Sequence, residues 1–280
     1  MHDSQLLTFI DLEHHFSLQL FNGQKILTEL SIIHPLGPSG LSFFRKSILS
    51  FAPLISLTKQ GETIGIYVDS DDPYFLFKFE ANSSGLIRTL LLPENFHQFP
   101  ETVSGRARLT KKIGQNAPYN SVVQIQNCSP TDLVHQIFKL SYQFSSKIIV
   151  SDKSDHSLLI SQLPGEKIYA DSPEITMGEY LLKNKKAFLN ILDQENFEIE
   201  SIHQEFEKMG IKLINVRNIK LSCGCSLEKI LTNLYMLQNS THEDIFIGKE
   251  NLEIKCDYCK KVYLVGINEF TKFQNQQNLN

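Results

Sequence analysis

The chain has no tryptophan and only five cysteines, four of which fall between positions 223 and 259. The missing tryptophan excludes nothing. The cysteine usage excludes a secreted disulfide scaffold, which would spread its bridges through a shorter chain. No stretch approaches the roughly 18 consecutive apolar residues of a membrane span, so no membrane partner is expected. Residues 1–5 hold no basic n-region and no long apolar run follows, so a secretory signal is not expected either. Basic residues are not in excess: 27 Lys and Arg against 31 Asp and Glu leave a formal charge of −4. That argues against a whole-chain nucleic-acid binder, though not against a local basic patch. G-x-S-x-G, H-E-x-x-H and Gly-rich phosphate-loop motifs are also missing, which removes the commonest enzyme signatures. These absences together predict a soluble cytoplasmic protein whose cysteines begin as thiols or metal ligands.

What is present is enough apolar material, 41% with 10% aromatic, for two domains or one large domain with an appendage. Phe16, Leu18 and Leu20 alternate with Ser17 and Gln19, Asn22-Gly23 signals a hairpin turn, and 25–33 reads as a second strand. Phe44, Ile48, Phe51 and Ala52 sit at helical spacing within 41–52, with Pro53 near the end. From 63 to 92 three strands form a meander with turns at Asp71-Asp72-Pro73 and 82–85. Two short strands, 106–112 and 121–126, flank Pro118-Tyr119. Ser129-Pro130-Thr131-Asp132 starts a helix: serine as N-cap, proline at the first helical position, an acid among the free amides. Its apolar stripe runs through Leu133, Ile137, Leu140, Tyr142 and Phe144, and 148–150 and 158–163 form a closing hairpin that Pro164-Gly165 ends.

The texture changes after about 170. Residues 174–192 read as a helix carrying Tyr180, Leu181, Leu182, Phe188 and Leu189. An acidic stretch follows, in which Ile202, Phe206 and Met209 form a thin apolar stripe that Gly210 stops. The expected fold is α+β: an N-terminal mixed sheet-and-helix domain over 1–170, a helical, metastable linker over 171–222, and a small C-terminal zinc-binding domain over 223–280.

The cysteines supply the chemistry. Cys223-Gly224-Cys225, thirty residues, then Cys256-Asp257-Tyr258-Cys259 provide two thiol pairs around a foldable insert. A closed four-sulfur zinc site requires that arrangement, and it leaves no open position for a substrate. Ser226 can cap a helix bearing Leu227, Ile230, Leu231, Leu234 and Leu237, and strands at 251–255 and 262–265 bracket the second pair. His203 and His242 are alternative ligands, expected to be surface histidines since four sulfurs suffice; Cys128 is expected to be a small buried filler. A purely structural knuckle and a redox switch both remain open. Without metal each thiol pair can close a local disulfide, and oxidised sulfur is a poor zinc ligand.

The run Leu221-Ser222-Cys223-Gly224-Cys225-Ser226, the insert length, 253–259 and Tyr263-Leu264 together resemble the C-terminal domain of the heat-shock-protein-33 family, the redox-regulated holdase chaperones. Further likeness lies in 109–123, in 131–150, in Gln162-Leu163-Pro164-Gly165, and in 202–206 where that family has its metastable linker. Two family features are replaced here: Gln60-Gly61-Glu62-Thr63 and Asp71-Asp72-Pro73 stand in place of a Gln-containing, Gly-rich strand, and Leu158-Leu159-Ile160 stands where a Gly-Gly is common. The resemblance implies one zinc per chain held by Cys223, Cys225, Cys256 and Cys259 in the reduced form. It implies disulfides Cys223–Cys225 and Cys256–Cys259 on oxidation, zinc release, linker unfolding, and capture of unfolded clients without ATP, as a homodimer. A rival reading is a constitutive zinc-ribbon module binding nucleic acid or protein, with Lys255, Lys260 and Lys261 around the knuckle and Tyr258 to stack on a base; the acidic linker argues against nucleic acid. An enzyme is the third reading, with Asp71-Asp72 better explained as turn chemistry and His14-His15 as part of an ordinary polar stretch.

Overall fold

The computed structural model describes residues 3–71, 74–94, 101–137, 139, 145–163, 175–241 and 244–277. Asp72-Pro73, Leu140, Tyr142, Phe144, Pro164-Gly165, Glu174 and His242, all used above, lie outside them. The architecture is α+β, and the chain divides into two units, Met1–Leu221 and Ser222–Asn280. No described helix is long and apolar enough to cross a membrane.

In the first unit, strands β1 (Gln5–Asp11), β2 (Phe16–Asn22), β8 (Ser146–Val150), β9 (His156–Gln162) and β10 (Lys212–Asn218) form one antiparallel sheet, ordered β10-β1-β2-β9-β8. A second sheet holds β3 (Glu62–Asp71), β4 (Tyr74–Asn82), β5 (Leu86–Leu92), β6 (Val103–Ile113), β7 (Tyr119–Cys128) and the two-residue β11 (Lys220–Leu221), ordered β11-β5-β4-β3-β6-β7. Only β11 runs parallel to its neighbour there. Between the sheets lie α1 (Gln24–Ile33), α2 (Pro38–Phe51), a 3-10 turn (Ala52–Leu57) and α3 (Pro130–Ile137). Phe43, Phe44 and Phe51 of α2 meet Phe75, Phe77 and Phe79 of β4, in one core with Leu6, Phe21 and Leu159 of the first sheet.

One expectation is overturned. Residues 24–33 are a helix, not a second hairpin strand. The hairpin partner of 5–11 is 16–22. Asn22 Oδ1 accepts the Gln24 N–H at 3.1 Å, and Gly23 N–H donates to Asp155 O, so Asn22-Gly23 opens a helix. Ile26, Leu27 and Leu30 then bury one face at a spacing that a strand could not use. The meander, the 106–112 and 121–126 strands and the Ser129 cap form as the sequence predicts, and Ser129 Oγ accepts the Asp132 N–H at 3.2 Å.

The outer face of the first sheet carries a second core. Leu7, Phe9, Phe16, Leu18, Leu158 and Ile160 pack under α4 (Met177–Leu192) and α5 (Ile199–Lys208). The stretch 171–222 thus contributes α4, α5, β10 and β11 to the first unit. Of the stripe, Ile202 and Phe206 are fully buried and Met209 partly so, against an expectation of thin packing. The reason is Phe9, whose ring lies 4.1 Å from that of Phe206: the sheet turns an aromatic outward to meet the helix. Gly210, at φ +77°, ends α5 as predicted.

The two helices are not equally held. Thr176 and Glu179 form a capping box at the start of α4. Tyr180 donates to buried Asp11 at 2.9 Å, and Asp11 also accepts from the His14 N–H, which fixes the β1–β2 turn under α4. At the other end Leu192 O accepts from His156 Nδ1 at 2.9 Å, and Ser151 Oγ donates to Asp193 at 2.8 Å. By contrast α5 has no side-chain cap and fully buries only Ile202 and Phe206. Phe206→Ala is expected to cost about 3–5 kcal/mol through lost burial and a residual cavity, read as a lowered urea midpoint.

Burial lowers the His156 pKa beneath its ordinary 6.5. The unfolded chain therefore takes up a proton before the folded chain does. Stability from this residue is complete above pH 6.5 and is lost as pH falls from there through the lower folded value. Urea midpoints at pH 7.5 and 5.5 are expected to differ more in the wild type than in His156→Gln.

Candidate metal centre

In the second unit, β12 (Asn251–Lys255) and β13 (Val262–Gly266) form an antiparallel hairpin, flanked by α6 (Leu227–Thr241) and α7 (Ile267–Gln277). Cys256 leaves β12 into a tight knuckle. Its carbonyl accepts the Lys260 N–H at 2.8 Å and its own N–H donates to Lys261 O at 2.9 Å. Lys260 takes a left-handed conformation, φ +60°, to close the turn. On the other side Ser226 caps α6, accepting the Lys229 N–H at 3.3 Å, so Cys223 and Cys225 lie on the extended approach to that helix.

All four sulfurs lie within 4.8 Å of one another, each half-buried. Cys223 and Cys256 approach to 3.6 Å, Cys225 and Cys259 to 3.5 Å. A disulfide would need about 2.05 Å. A tetrahedral zinc with about 2.3 Å bonds to sulfur places its ligands roughly 3.8 Å apart. The donor set, all sulfur, and the spacing both fit zinc, and these four residues could hold it. His203 lies on α5 in the first unit, outside the cluster, while Cys128 is buried as expected and accepts from Gln136 Nε2 at 3.0 Å.

The four thiols are not equivalent. Tyr263 Oη donates to Cys225 Sγ at 3.1 Å, and this bond brings the Cys225 pKa down to about 7. Burial pushes the Cys223 thiol up to about 12 and raises Cys259 as well. Tyr263 itself rises to about 12, because its proton is engaged by the Cys225 sulfur. Sequence reasoning had Tyr263 as a strand residue and as part of the family likeness, with no role at the sulfurs. Alternation along β13 was the available signal: it turns Tyr263 and Val265 inward and Val262 and Leu264 outward.

The hairpin cannot rely on its core. Leu231, Leu234, Phe246, Val265 and Phe270 are buried, but Leu237, expected on the same face, is 49% exposed. A unit below about 70–80 residues rarely gains more than 3–5 kcal/mol from such a core. Lys255 and Lys261 are exposed, with Glu253 and Asp257 exposed among them, and Lys261 lies over the Tyr263 ring at 4.9 Å.

The family model described as Hsp33 protein matches residues 4–266. The chain belongs to the Hsp33 family. Membership in Hsp33 makes it a chaperone and not an enzyme. Curated Hsp33 relatives include the 33 kDa chaperonin of Aquifex aeolicus, 23% identical over 82% of this chain and 77% of that one. That of Thermosipho melanesiensis is 20% identical over 88% and 90%. The crystal structure of the 33 kDa chaperonin from Thermotoga maritima shares the fold, with a TM-score of 0.76 over the whole of both chains at 14% identity.

Tyr263→Phe keeps the ring and removes the hydrogen bond. As loss of a partner supporting a metal ligand, it is expected to weaken zinc binding about 10–100-fold, measured by competition with a chromophoric chelator on the reduced full chain.

Proposed function

We propose that this chaperone is a redox-regulated, ATP-independent holdase, which protects unfolding polypeptides from aggregation under oxidative stress. Disulfide formation at the four cysteines, with release of zinc, switches it on. The observation that carries this reading is the convergence of four thiols immediately after the least firmly held run of the first unit.

In the reduced form Cys223, Cys225, Cys256 and Cys259 hold one zinc ion per chain. When bound, that ion offsets the mutual repulsion of the thiolates and supplies folding free energy, about 10–16 kcal/mol in structural sites. Oxidation by a peroxide takes two thiolates and two protons to one disulfide and two waters. The O–O bond accepts the two electrons as the S–S bond forms. Near neighbours pair, Cys223 with Cys225 and Cys256 with Cys259. Resting proximity does not favour this pairing, since close sulfur contacts run across the insert, Cys223 to Cys256 and Cys225 to Cys259. Once the site loosens, one or two intervening residues keep the near neighbours together, whereas a cross pair must close a loop of about thirty residues. Oxidised sulfur no longer ligates, and the second unit loses its staple.

The chain carries the change upstream. Directly before Cys223 stand β11, two residues long, and β10, an edge strand exposed at most positions. Before them comes the uncapped α5. Segments held by few buried contacts open first, so 199–221 is the run that lets go and bares the part of the sheet around Phe9 for clients. The oxidised chain acts as a homodimer.

The test titrates the full chain with hypochlorite while following zinc release, free thiols and suppression of citrate-synthase aggregation together. Free thiols are expected to fall from five to one, buried Cys128 remaining, as one zinc leaves and suppression rises. Cys223→Ser with Cys225→Ser is expected to uncouple the three. Zinc release and thiol loss without any change in aggregation would sink the proposal.

A further inference from the structure

The described sheets end on strands that are blunted in different ways. β8 has five residues and carries Lys147, β10 carries Lys212 and Arg217, and β11 is two residues beginning with Lys220. Short length and charge are the usual protections of an open edge. β7 has neither. It runs ten residues, Tyr119–Cys128, with no charged residue and no proline, and pairs only with β6 among the described residues. Tyr119 is 52% and Val122 61% exposed, and Asn120 and Gln124 are also exposed, so nothing described covers this half of the strand.

The charge beside it has one sign. From 103 to 128 the sequence holds Arg106, Arg108, Lys111 and Lys112 and no acid, in a chain whose net charge is −4. Arg106 and Arg108 are exposed on the same face as Val122, and Arg108 is braced over the Tyr67 ring at 4.7 Å. Asp69 of β3 stands opposite Arg106 and offsets part of this charge. A second copy of the chain pairing edge to edge would bring two such basic hairpins together, which disfavours that occupant. Nucleic acid would satisfy the charge but not the row of backbone donors and acceptors.

We propose that the outer edge of β7 takes an extended, acidic segment of an unfolding polypeptide as a further strand of this sheet. Main-chain hydrogen bonds give affinity without demanding a sequence, which suits a partner defined by being unfolded. The added strand lies two spacings from β6, about 10 Å, a gap that an arginine and a glutamate side chain span together. This rests on the holdase reading and deepens it. The edge stands open in the zinc-binding form, so alone it is a weak contact. It gains effect by avidity once oxidation bares a second surface on the same chain.

The probe is a fluorescein-labelled ten-residue peptide alternating Glu and Thr, with two isomers N-methylated on alternate residues in opposite frames. Anisotropy is read against the reduced full chain up to 1 mM. An edge strand uses every second N–H, so one frame is expected to weaken binding at least tenfold and the other to leave it nearly unchanged. Arg106→Gln with Arg108→Gln is expected to weaken the unmodified peptide at least fivefold while zinc content and thermal midpoint hold. Equal binding of both frames, undiminished binding by the double variant, no binding at 1 mM, or displacement of the peptide by an oligoribonucleotide would each overturn the proposal. If the peptide fails while oxidised wild type still suppresses aggregation, the edge proposal falls alone. If oxidised wild type does not suppress aggregation, the holdase reading falls with whatever rests on it.

Discussion

Four sulfurs within 4.8 Å of one another form an arrangement that thiolates cannot hold unaided, since like charges at that distance repel. A divalent ion bound there would remove the repulsion and tie the start of α6 to the β12–β13 knuckle. Among the described residues of the second unit nothing else would do this at comparable strength. The core around Leu231, Leu234, Val265 and Phe270 is small, and α7 adds one fully buried anchor, Phe270. On the switch proposed above, the fold of the second unit depends on the chemical state of its cysteines, and an agent that changes that state acts on the whole unit. A metal site inside a large core would be insulated from such a consequence, because the surrounding apolar burial would hold the fold without it.

Within the first unit the hold on the chain is graded. Its central layer, with α2 between two sheets, is closed by phenylalanines that meet from both sides, and Arg45 ties α2 to the β8–β9 turn through Asp155 at 2.6 Å and through Ser151 O. The α4 helix is anchored at both ends. After it the hold weakens step by step along the chain, through uncapped α5 and edge strand β10 to the two residues of β11. Gly85 shows how close that last attachment is. At φ +82° it leaves room for Asn218 O, which a Cβ would approach to 2.3 Å. The chain is seated there by backbone proximity, by hydrogen bonds such as Ile219 N–H to Ser4 O, and by the buried Ile219 side chain.

Most of this was legible in the residues where one physical demand dominates. The four cysteines, the Ser226 and Ser129 caps, the Gly210 stop and the turn-punctuated meander each answer a local requirement, and each is found in place. The failures occur where a distant partner decides. Asn22-Gly23 suits a hairpin by local chemistry, but Asp155, far along the chain, takes the Gly23 N–H and turns the segment into a helix. The 202–209 stripe reads as thin because its own residues are few. Its burial comes from Phe9, Phe188 and the outer face of the first sheet. Strand β10 was missed for the same reason: Ile214 and Val216 are substantially exposed, and it is pairing with β1, not a buried face, that makes 212–218 a strand.

The pairwise approach of the sulfurs bears on how such a site can act as a switch. The near contacts run across the insert, Cys223 to Cys256 and Cys225 to Cys259. Disulfides along those contacts would keep α6 and the hairpin stapled covalently, and the unit would remain folded whether reduced or oxidised. Disulfides between near neighbours cut the staple instead, because neither crosses the insert. Only the second outcome converts an oxidation event into unfolding. The Gly between Cys223 and Cys225 allows the backbone to curl so that their sulfurs meet. The Tyr263 hydrogen bond, which brings the Cys225 pKa down to about 7, sits at one of these near-neighbour pairs.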